Sequence, residues 1–308
     1  LLAASCAENE DSNSFTDQVK NSQSGILYVA SGSCYAGGVA TSVGVATITA
    51  FDAQTGEFLG VVADYNSFSV GDMPVGIVDF DADNLLILVE NAAGRRIDII
   101  RKDATSISTY LTNTTALSAV LRSIQKLADN SVLVSKSSAV ERFSASKARI
   151  TQGVNPYINA PAGACATSTT LISSMALLTN EKILFSHAAA TPNNKIALIS
   201  STGYAAGGDC LTTQAAPTTT ALPTSLLYHS SGKLLAAYGS TTGVSNFVYS
   251  YDINETTNAI SSPVNAYTNL GVINGPSAMT EDPTTSDVLI ANGNSAFNNI
   301  ERFTFDPI

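Results

Sequence analysis

An internal repeat of about fifty residues constrains the fold of this chain more than any other feature. Each copy has an apolar strand, a short polar turn, a second strand rich in Leu, Val and Ile, a polar loop and an alternating third strand. The second strands begin near residues 26, 85, 132, 183, 234 and 288, so successive copies are offset by 59, 47, 51, 51 and 54 residues. The first offset is the longest because residues 32–44 add a loop rich in Gly, Ala and Ser.

The copy that starts at Pro74 shows the pattern most clearly. Its first strand, Pro74–Phe80, turns at Asp81–Asn84 into Leu85–Val89, and Arg95–Ile100 forms the third strand. A fourth strand is expected over Ser106–Tyr110. Alternation and short apolar runs bounded by Asp, Asn and Gly are typical of strands and turns.

A repeat of this length with three or four strands per copy is typical of the blades of a propeller. A β-helix has a much shorter period, and a sandwich has no reason to repeat at fifty residues. The sequence therefore predicts an all-β fold, a single β-propeller of about six blades with three to four antiparallel strands each. Seven blades remain an alternative. We assign residues 13–308 to the propeller and residues 1–12 to an N-terminal tail or tether.

The repeat does not by itself show how the last blade of the propeller is completed. The earliest copy begins with Phe15–Val19, and the last copy supplies three strands, the third of them Ile300–Phe303. An N-terminal strand often completes the last blade in propellers of this kind, and the apolar start Leu1–Ala7 is a candidate for that strand. The alternative is a last blade with three strands.

One stretch resembles a known group of propellers. Ile48–Gly60 is similar to the third strand, turn and fourth strand of NHL-like and YVTN-like propellers, and Ile26–Ala30 is similar to their second strand. Asn84–Val89 and Lys233–Ala236 are looser matches to that second strand. This resemblance implies the fold and no particular ligand. Enzymatic six-bladed relatives, such as gluconolactonase-like proteins, hold a metal with Glu, Asn and Asp, and those ligands have no identifiable counterparts here.

The N-terminus resembles a processed lipoprotein. Leu1–Cys6 is similar to a bacterial lipobox, although Ala3 stands where Leu is favoured, and Ala7–Gln18 has the polar, acidic character of a tether. We therefore expect lipidation of Cys6 and a location outside the cell or in a bacterial envelope, either periplasmic or on the outer surface. An ordinary secreted N-terminus that contains Cys is the alternative.

The four cysteines, Cys6, Cys34, Cys165 and Cys210, include no CxxC or Cys/His spacing, so structural zinc is not expected. Cys165 and Cys210 flank one repeat, and a disulfide between them would close it. If Cys6 is not lipidated, a Cys6–Cys34 disulfide would use all four. Both alternatives suit an oxidising compartment.

Charge and hydropathy exclude several partners. The net charge is −10, and Lys and Arg form no basic stripe, so nucleic acid and anionic membranes are poor partners. No apolar stretch reaches the ~18 residues of a transmembrane helix, so no transmembrane segment is expected.

The sequence contains few candidates for catalysis or metal binding. Its two histidines, His187 and His229, are expected at a strand end and in a turn, more as turn or surface residues than as bases or ligands. Asp79, Asp81 and Asp83 alternate through a strand and its turn, where turn capping is favoured over calcium binding. No catalytic residue, cofactor or metal site is predicted.

The binding face is predicted from topology. Loops that join second to third strands gather at one end of a propeller, and here they are rich in Asn, Ser, Thr and Gly, which suits adaptable hydrogen bonding to a protein or glycan surface. The candidate contact residues are Asn91, Arg95, Ser137, Asn193, Asn194, Thr241, Asn246, Asn294 and Asn298.

These patterns favour a secreted or envelope-anchored, non-enzymatic binding or scaffolding propeller. Two alternatives stay open. One is a structural subunit of an extracellular assembly or filament that self-associates through a tail or an unpaired edge strand. The other is a metal-dependent, lactonase-like hydrolase.

Overall fold

The computed structural model describes seventeen stretches of the chain, and every structural statement below concerns them. They are residues 25–31, 35–36, 39–40, 46–65, 71–91, 94–112, 117, 121–136, 139–151, 157–158, 171–188, 194–200, 210–217, 221–240, 246–267, 275–292 and 299–307. These residues form six small antiparallel sheets arranged as a six-bladed β-propeller, which confirms the predicted fold class.

The strands follow one another around the ring, blade by blade. Blade 1 contains β1 (Ile26–Ser31), β4 (Thr47–Asp52) and β5 (Phe58–Asp64), with the separate hairpin β2 (Tyr35–Ala36) and β3 (Val39–Ala40) between the first two in the chain. Blade 2 contains β6 (Met73–Asp79), β7 (Asn84–Asn91), β8 (Gly94–Arg101) and β9 (Ile107–Leu111). Blade 3 contains β10 (Leu121–Lys126), β11 (Val132–Lys136), β12 (Ala139–Phe143) and β13 (Arg149–Ile150).

The second half of the chain repeats this arrangement. Blade 4 contains β14 (Leu171–Leu177), β15 (Ile183–Ala188), β16 (Lys195–Ile199) and β17 (Cys210–Ala215). Blade 5 contains β18 (Ala221–Tyr228), β19 (Lys233–Ser240), β20 (Phe247–Asn254), β21 (Ala259–Ile260) and β22 (Val264–Tyr267). Blade 6 contains β23 (Pro276–Glu281), β24 (Val288–Asn292) and β25 (Ile300–Phe303).

The second strands lie where the repeat predicts them. β1, β7, β11, β15, β19 and β24 begin at residues 26, 84, 132, 183, 233 and 288. Each is buried from both sides, because the blades pack face to face; Leu85–Val89 of β7 is 0% exposed throughout. Burial on both faces explains why these strands are continuous apolar runs in the sequence instead of alternating ones.

Alternate residues of each second strand pack against opposite neighbours. In β7, Leu85 and Ile87 join a core cluster with blade 1, whereas Leu86 and Leu88 join a cluster with blade 3. Four further clusters lie between successive blades from blade 3 onward. The last of them places Leu289 of β24 with Leu27 of β1, so blade 6 packs on blade 1 and the ring is closed.

The structure describes different strands of the repeat in the first and the last blade. In blade 1, β1, β4 and β5 are the second, third and fourth strands of the repeat, and the first strand predicted over Phe15–Val19 lies outside the described residues. In blade 6 the described strands are the first three. The segment Leu1–Ala7 that was expected to complete this blade also lies outside the described residues.

Two parts of the fold differ from the sequence prediction. The stretch 32–44, predicted as a loop, contains the hairpin of β2 and β3. The outer strands β13, β17, β21 and β22 were not predicted, because they are short or partly exposed and carry no apolar run. The described residues include no helix with the length and apolar character needed to cross a membrane.

Candidate functional site

The first strand of the repeat lines the central channel. The structure describes this strand in blades 2 to 6, and these five strands are called here the inner strands: β6, β10, β14, β18 and β23. Each inner strand carries one extra residue that interrupts its pairing with the second strand at the same place in the repeat. Such a β-bulge bends the strand and turns a side chain to a new direction. The five bulge residues are Val75, Arg122, Ser173, Thr224 and Ser277.

Hydroxyl groups at three bulges satisfy backbone carbonyls that pairing leaves available. Thr224 Oγ1 donates to the carbonyl oxygen of Ala237 at 3.2 Å, and Ser277 Oγ donates to that of Ala291 at 3.3 Å. Ser173 Oγ lies 2.6 Å from the carbonyl oxygen of Pro223 in the next blade. A buried carbonyl without a partner is costly, so these hydroxyls stabilise the bulged conformation.

Side chains just after the bulges connect neighbouring inner strands. Ser174 Oγ accepts a hydrogen bond from the Leu226 amide at 3.1 Å, and Ser225 Oγ accepts one from the Met279 amide at 3.0 Å. Gln125 Nε2 donates to the Met175 carbonyl oxygen at 2.9 Å. These bonds link β10 to β14, β14 to β18 and β18 to β23, which fixes the positions of the groups that face this part of the channel.

A cavity of about 130 Å³, called here the channel cavity, lies among the inner strands. All five bulge residues line it, together with Ala30 of β1 and small or hydroxyl-bearing side chains such as Ser123. Arg122 is the one charged residue among the described residues that line it. The site is thus a polar recess whose described lining carries one charged group, the positively charged guanidinium of Arg122.

Arg122 differs from every other arginine among the described residues. The other six each lie within salt-bridge distance of a carboxylate: Arg95 and Glu90, Arg96 and Asp72, Arg101 and Asp103, Arg142 and Asp129, Arg149 and Glu141, Arg302 and Asp282. Arg122 is exposed, and within the described part of the chain it forms no hydrogen bond or ion pair. An arginine without a carboxylate partner is unusual in a chain whose net charge is −10, because acidic residues outnumber basic ones.

The predicted binding-face residues are divided by the structure. Asn194 and Asn246 are each 4% exposed, so they are buried at the ends of their loops instead of offering a contact surface, which corrects the prediction for both. Asn91 Nδ2 donates to Asp72 Oδ1 at 2.5 Å, and Arg95 pairs with Glu90. The other candidates lie outside the described residues: Ser137, Asn193, Thr241, Asn294 and Asn298.

Basic residues of blades 2 and 3 pair with carboxylates of their own blades. Arg96 contacts Asp98 of the same strand and Asp72 just before β6. Burial raises the pKa of the Asp98 carboxyl, and Arg96 acts in the opposite direction. Burial also raises the pKa of the nearby Tyr65 hydroxyl, and the Asp98 charge adds to this rise. Arg96 thereby links β8 to the residue that precedes β6 within blade 2.

Both histidines lie at the predicted strand end and turn, but neither is a surface residue. His229 is 2% exposed; its Nδ1 lies 2.8 Å from Ser231 Oγ and its Nε2 lies 2.9 Å from the Ser286 carbonyl oxygen. His187 is 0% exposed, and burial, with a smaller contribution from Lys195, lowers its pKa to about 3. The sequence does not reveal this burial, because a single histidine at a strand end or in a turn reads equally well as a surface residue.

The alternating aspartates form a turn. Asp81 Oδ1 accepts hydrogen bonds from the Asp83 amide at 2.9 Å and from Asn84 Nδ2 at 2.8 Å, and Asp79 pairs with Lys102 at 2.6 Å. These contacts are the turn-capping role that the sequence favoured. Among the described residues, no group of His, Cys, Asp and Glu has an arrangement suited to a metal ion.

Of the cysteines, Cys210 lies in the described part of the chain, at the start of β17, and it is disulfide-bonded. Cys6, Cys34 and Cys165 lie outside the described residues. The pairing of Cys165 with Cys210 and the lipidation of Cys6 stay predictions.

The channel residues were not found by sequence analysis. The sequence around Arg122 is that of an ordinary first strand, and the bulge at Arg122 depends on pairing with β11. One signal was present: the bulge position follows Pro in three copies, at Pro74, Pro223 and Pro276. Aligning the copies on that position would have placed Arg122 in register with the small residues Ser173 and Ser277.

The fold and its channel define a class of protein, the six-bladed β-propellers, and solved structures agree. The extracellular domain of a hybrid two component system from Bacteroides thetaiotaomicron matches with a TM-score of 0.51 and 13% identity over 86% of this chain, which spans 31% of that chain. A gluconolactonase from Xanthomonas campestris matches with a TM-score of 0.51 and 11% identity, over 77% of both chains.

A protein of unknown function from Bacteroides caccae matches with a TM-score of 0.49 and 14% identity, over 80% of this chain and 78% of that one. No protein-family model matches the chain, and no curated protein matches it in sequence. At these identities the similarity establishes the fold alone.

Proposed function

We propose that this chain is a non-enzymatic binding propeller that takes its ligand in the channel cavity. The observation that carries the proposal is a polar recess of about 130 Å³ whose walls are held by hydrogen bonds between inner strands. Small-molecule sites are concave and carry a few fixed polar groups that orient the ligand, and the recess shares these two features.

The proposed location is outside the cytoplasm, with a bacterial envelope anchor through Cys6 as the finer form. Disulfide-bonded Cys210 supports an oxidising compartment. The similar structure from Bacteroides thetaiotaomicron is described as an extracellular domain, which is consistent with this location. Mass spectrometry of the natively expressed protein tests the anchor, because a diacylglyceryl group on Cys6 adds a defined mass.

A channel-filling variant tests the proposed site. Val75 lines the cavity at a bulge, packs at the edge of the core cluster between blades 2 and 3 and brings no side-chain hydrogen bond, so Val75→Trp adds bulk at the recess while keeping the polar network of the wall. Val264→Trp is the matched control, because Val264 is 63% exposed on the outer strand β22. Both variants are compared with the unmodified protein after circular dichroism shows that they fold.

The probes are a mixture of monosaccharides, amino acids and short-chain organic acids, observed by saturation-transfer NMR. We expect at least one component to bind the unmodified protein and Val264→Trp, with loss of binding in Val75→Trp. Equal binding to Val75→Trp, or no binding to any protein, would contradict the proposed site. Turnover of a lactone or any other component by the purified protein would contradict the non-enzymatic role.

A further inference from the structure

We infer that the channel cavity selects a small oxyanion, a carboxylate or phosphate group held by Arg122. This inference rests on the proposed function and adds the chemical class of the ligand. It begins with the guanidinium group, which carries five N–H donors in a rigid planar fork and stays charged at all ordinary pH values. In the described part of the chain, none of these donors has a protein partner.

The other arginines show what such a group contacts in this protein. Each forms an ion pair with a carboxylate, and Arg149 reaches both oxygens of Glu141, at 2.8 and 2.9 Å. Two-point contacts of this kind are the preferred geometry between a guanidinium and a carboxylate or phosphate. Arg122 is positioned in a recess where a ligand can provide that carboxylate or phosphate.

Two neighbours add donors beside Arg122. Ser123 lines the same cavity because the bulge interrupts the alternation of β10, and within the described residues its hydroxyl has no partner. Gln125 also lines the cavity; one N–H of its amide binds the Met175 carbonyl oxygen, and the second N–H remains available. A cation surrounded by hydroxyl and amide donors matches an oxyanion better than a cation or an apolar group.

The volume limits the size of the ligand. A cavity of about 150 Å³ is known to hold benzene, which has six heavy atoms. The channel cavity of about 130 Å³ therefore fits inorganic phosphate or the head of a short carboxylic acid. A larger acid would extend from the cavity toward the end of the channel where the loops between second and third strands lie, since Arg122 is the second residue of β10.

Isothermal titration calorimetry separates these sources of the oxyanion. Sodium phosphate, sodium lactate and uncharged glycerol are titrated into the unmodified protein, Arg122→Gln and Arg101→Gln. Arg101→Gln is the matched control because Arg101, at the exposed end of β8, pairs with Asp103 at 2.8 Å and does not line the cavity. We expect phosphate or lactate to bind the unmodified protein and Arg101→Gln alike, and glycerol not to bind.

In Arg122→Gln the affinity for the oxyanion should fall by about tenfold or more, the usual effect of losing a charge-assisted pair. Arg122→Lys keeps the charge but loses the planar fork of donors, so its affinity for the oxyanion should fall by less than that of Arg122→Gln. The Lys variant also provides the test if Arg122→Gln does not fold. Equal affinity in Arg122→Gln and the unmodified protein would overturn the inference. Binding of only uncharged probes, abolished by Val75→Trp, would overturn the oxyanion class and leave the channel site intact, whereas binding of no probe would overturn both.

Discussion

Thr224 and Ser277 show how one backbone requirement shapes residue choice in the channel wall. Both sit at the bulge, and both use a hydroxyl to bind the carbonyl oxygen of the paired second strand. In blade 3 the bulge residue is Arg122, which has no hydroxyl, and the hydrogen bond beside the bulge is a different one: Ser135 Oγ of the second strand accepts a hydrogen bond from the Ser123 amide at 2.9 Å.

Removing one such hydroxyl should destabilise the fold. Thr224→Val keeps the shape of the side chain and leaves the Ala237 carbonyl oxygen without its hydroxyl donor, so we expect the free energy of unfolding to fall by about 1–2 kcal/mol. Thr256→Val, at an exposed turn position, is the control and should change it by less than about 0.5 kcal/mol. Urea denaturation measures both, and equal stability of the two variants would contradict the role assigned to Thr224.

His187 gives the protein a specific dependence on pH. Its pKa in the folded protein is lowered to about 3 by burial, whereas an unfolded histidine titrates near 6.5. Below pH ~6.5 the unfolded chain therefore binds a proton that the folded protein does not bind, and stability falls as the pH falls toward 3. At pH 4.5 this effect is on the order of 3 kcal/mol.

The variant His187→Gln should remove this contribution. We expect its unfolding free energy to depend less on pH between 6.5 and 4.5 than that of the unmodified protein, in urea titrations at both pH values. The ring of His187 packs against that of Phe185, with the two centroids 4.7 Å apart. Because Gln cannot replace this ring contact, we also expect some loss of stability at pH 7. An unchanged slope against pH would show that another group causes the acid sensitivity.

At the scale of strands, the second strands carry the core. Val134 of β11 is 0% exposed and packs between blades 2 and 3, so Val134→Ala should lower the unfolding free energy by about 2 kcal/mol through lost burial and a residual cavity. Val264→Ala on the outer strand β22, where Val264 is 63% exposed, should change it by less than about 0.5 kcal/mol. Thermal unfolding compares the two, and similar melting temperatures would contradict this division of roles.

Strands were predictable to the extent that their burial left a pattern. β7 and β11 are apolar runs that need no partner to be recognised, and the turn at Asp81 follows from local hydrogen bonding. β22 is mostly exposed and carries no such pattern. The bulge at Arg122 was unpredictable for a different reason: it is a property of the register between β10 and β11, and no single strand encodes it.

At the scale of the whole molecule, the spacing of the repeat was sufficient for the number of blades, but closure was not predictable. Closure depends on contacts between residues far apart in the chain. Arg302 of β25 donates to the carbonyl oxygen of Ala53 in blade 1, 249 residues away, and also pairs with Asp282 and Asp287. No local pattern links these positions.

This closing contact should matter for global stability. Arg302→Gln leaves the Asp282 carboxylate, whose side chain is 0% exposed, without its cation, so we expect a loss of about 2–3 kcal/mol in unfolding free energy. Arg101→Gln, which breaks an exposed pair, should cost less than about 1 kcal/mol. Guanidinium denaturation checks both, and an unaffected Arg302→Gln protein would mean that apolar packing alone closes the ring.

The bulge position occurs in the same place in five blades and holds Val, Arg, Ser and Thr. The ring therefore tolerates different side chains here, although an exchange that removes a hydroxyl such as that of Thr224 lowers stability. Each exchange during evolution alters what the channel admits. The same freedom makes these five positions a natural starting set for a combinatorial library that seeks new ligand preferences on an unchanged ring.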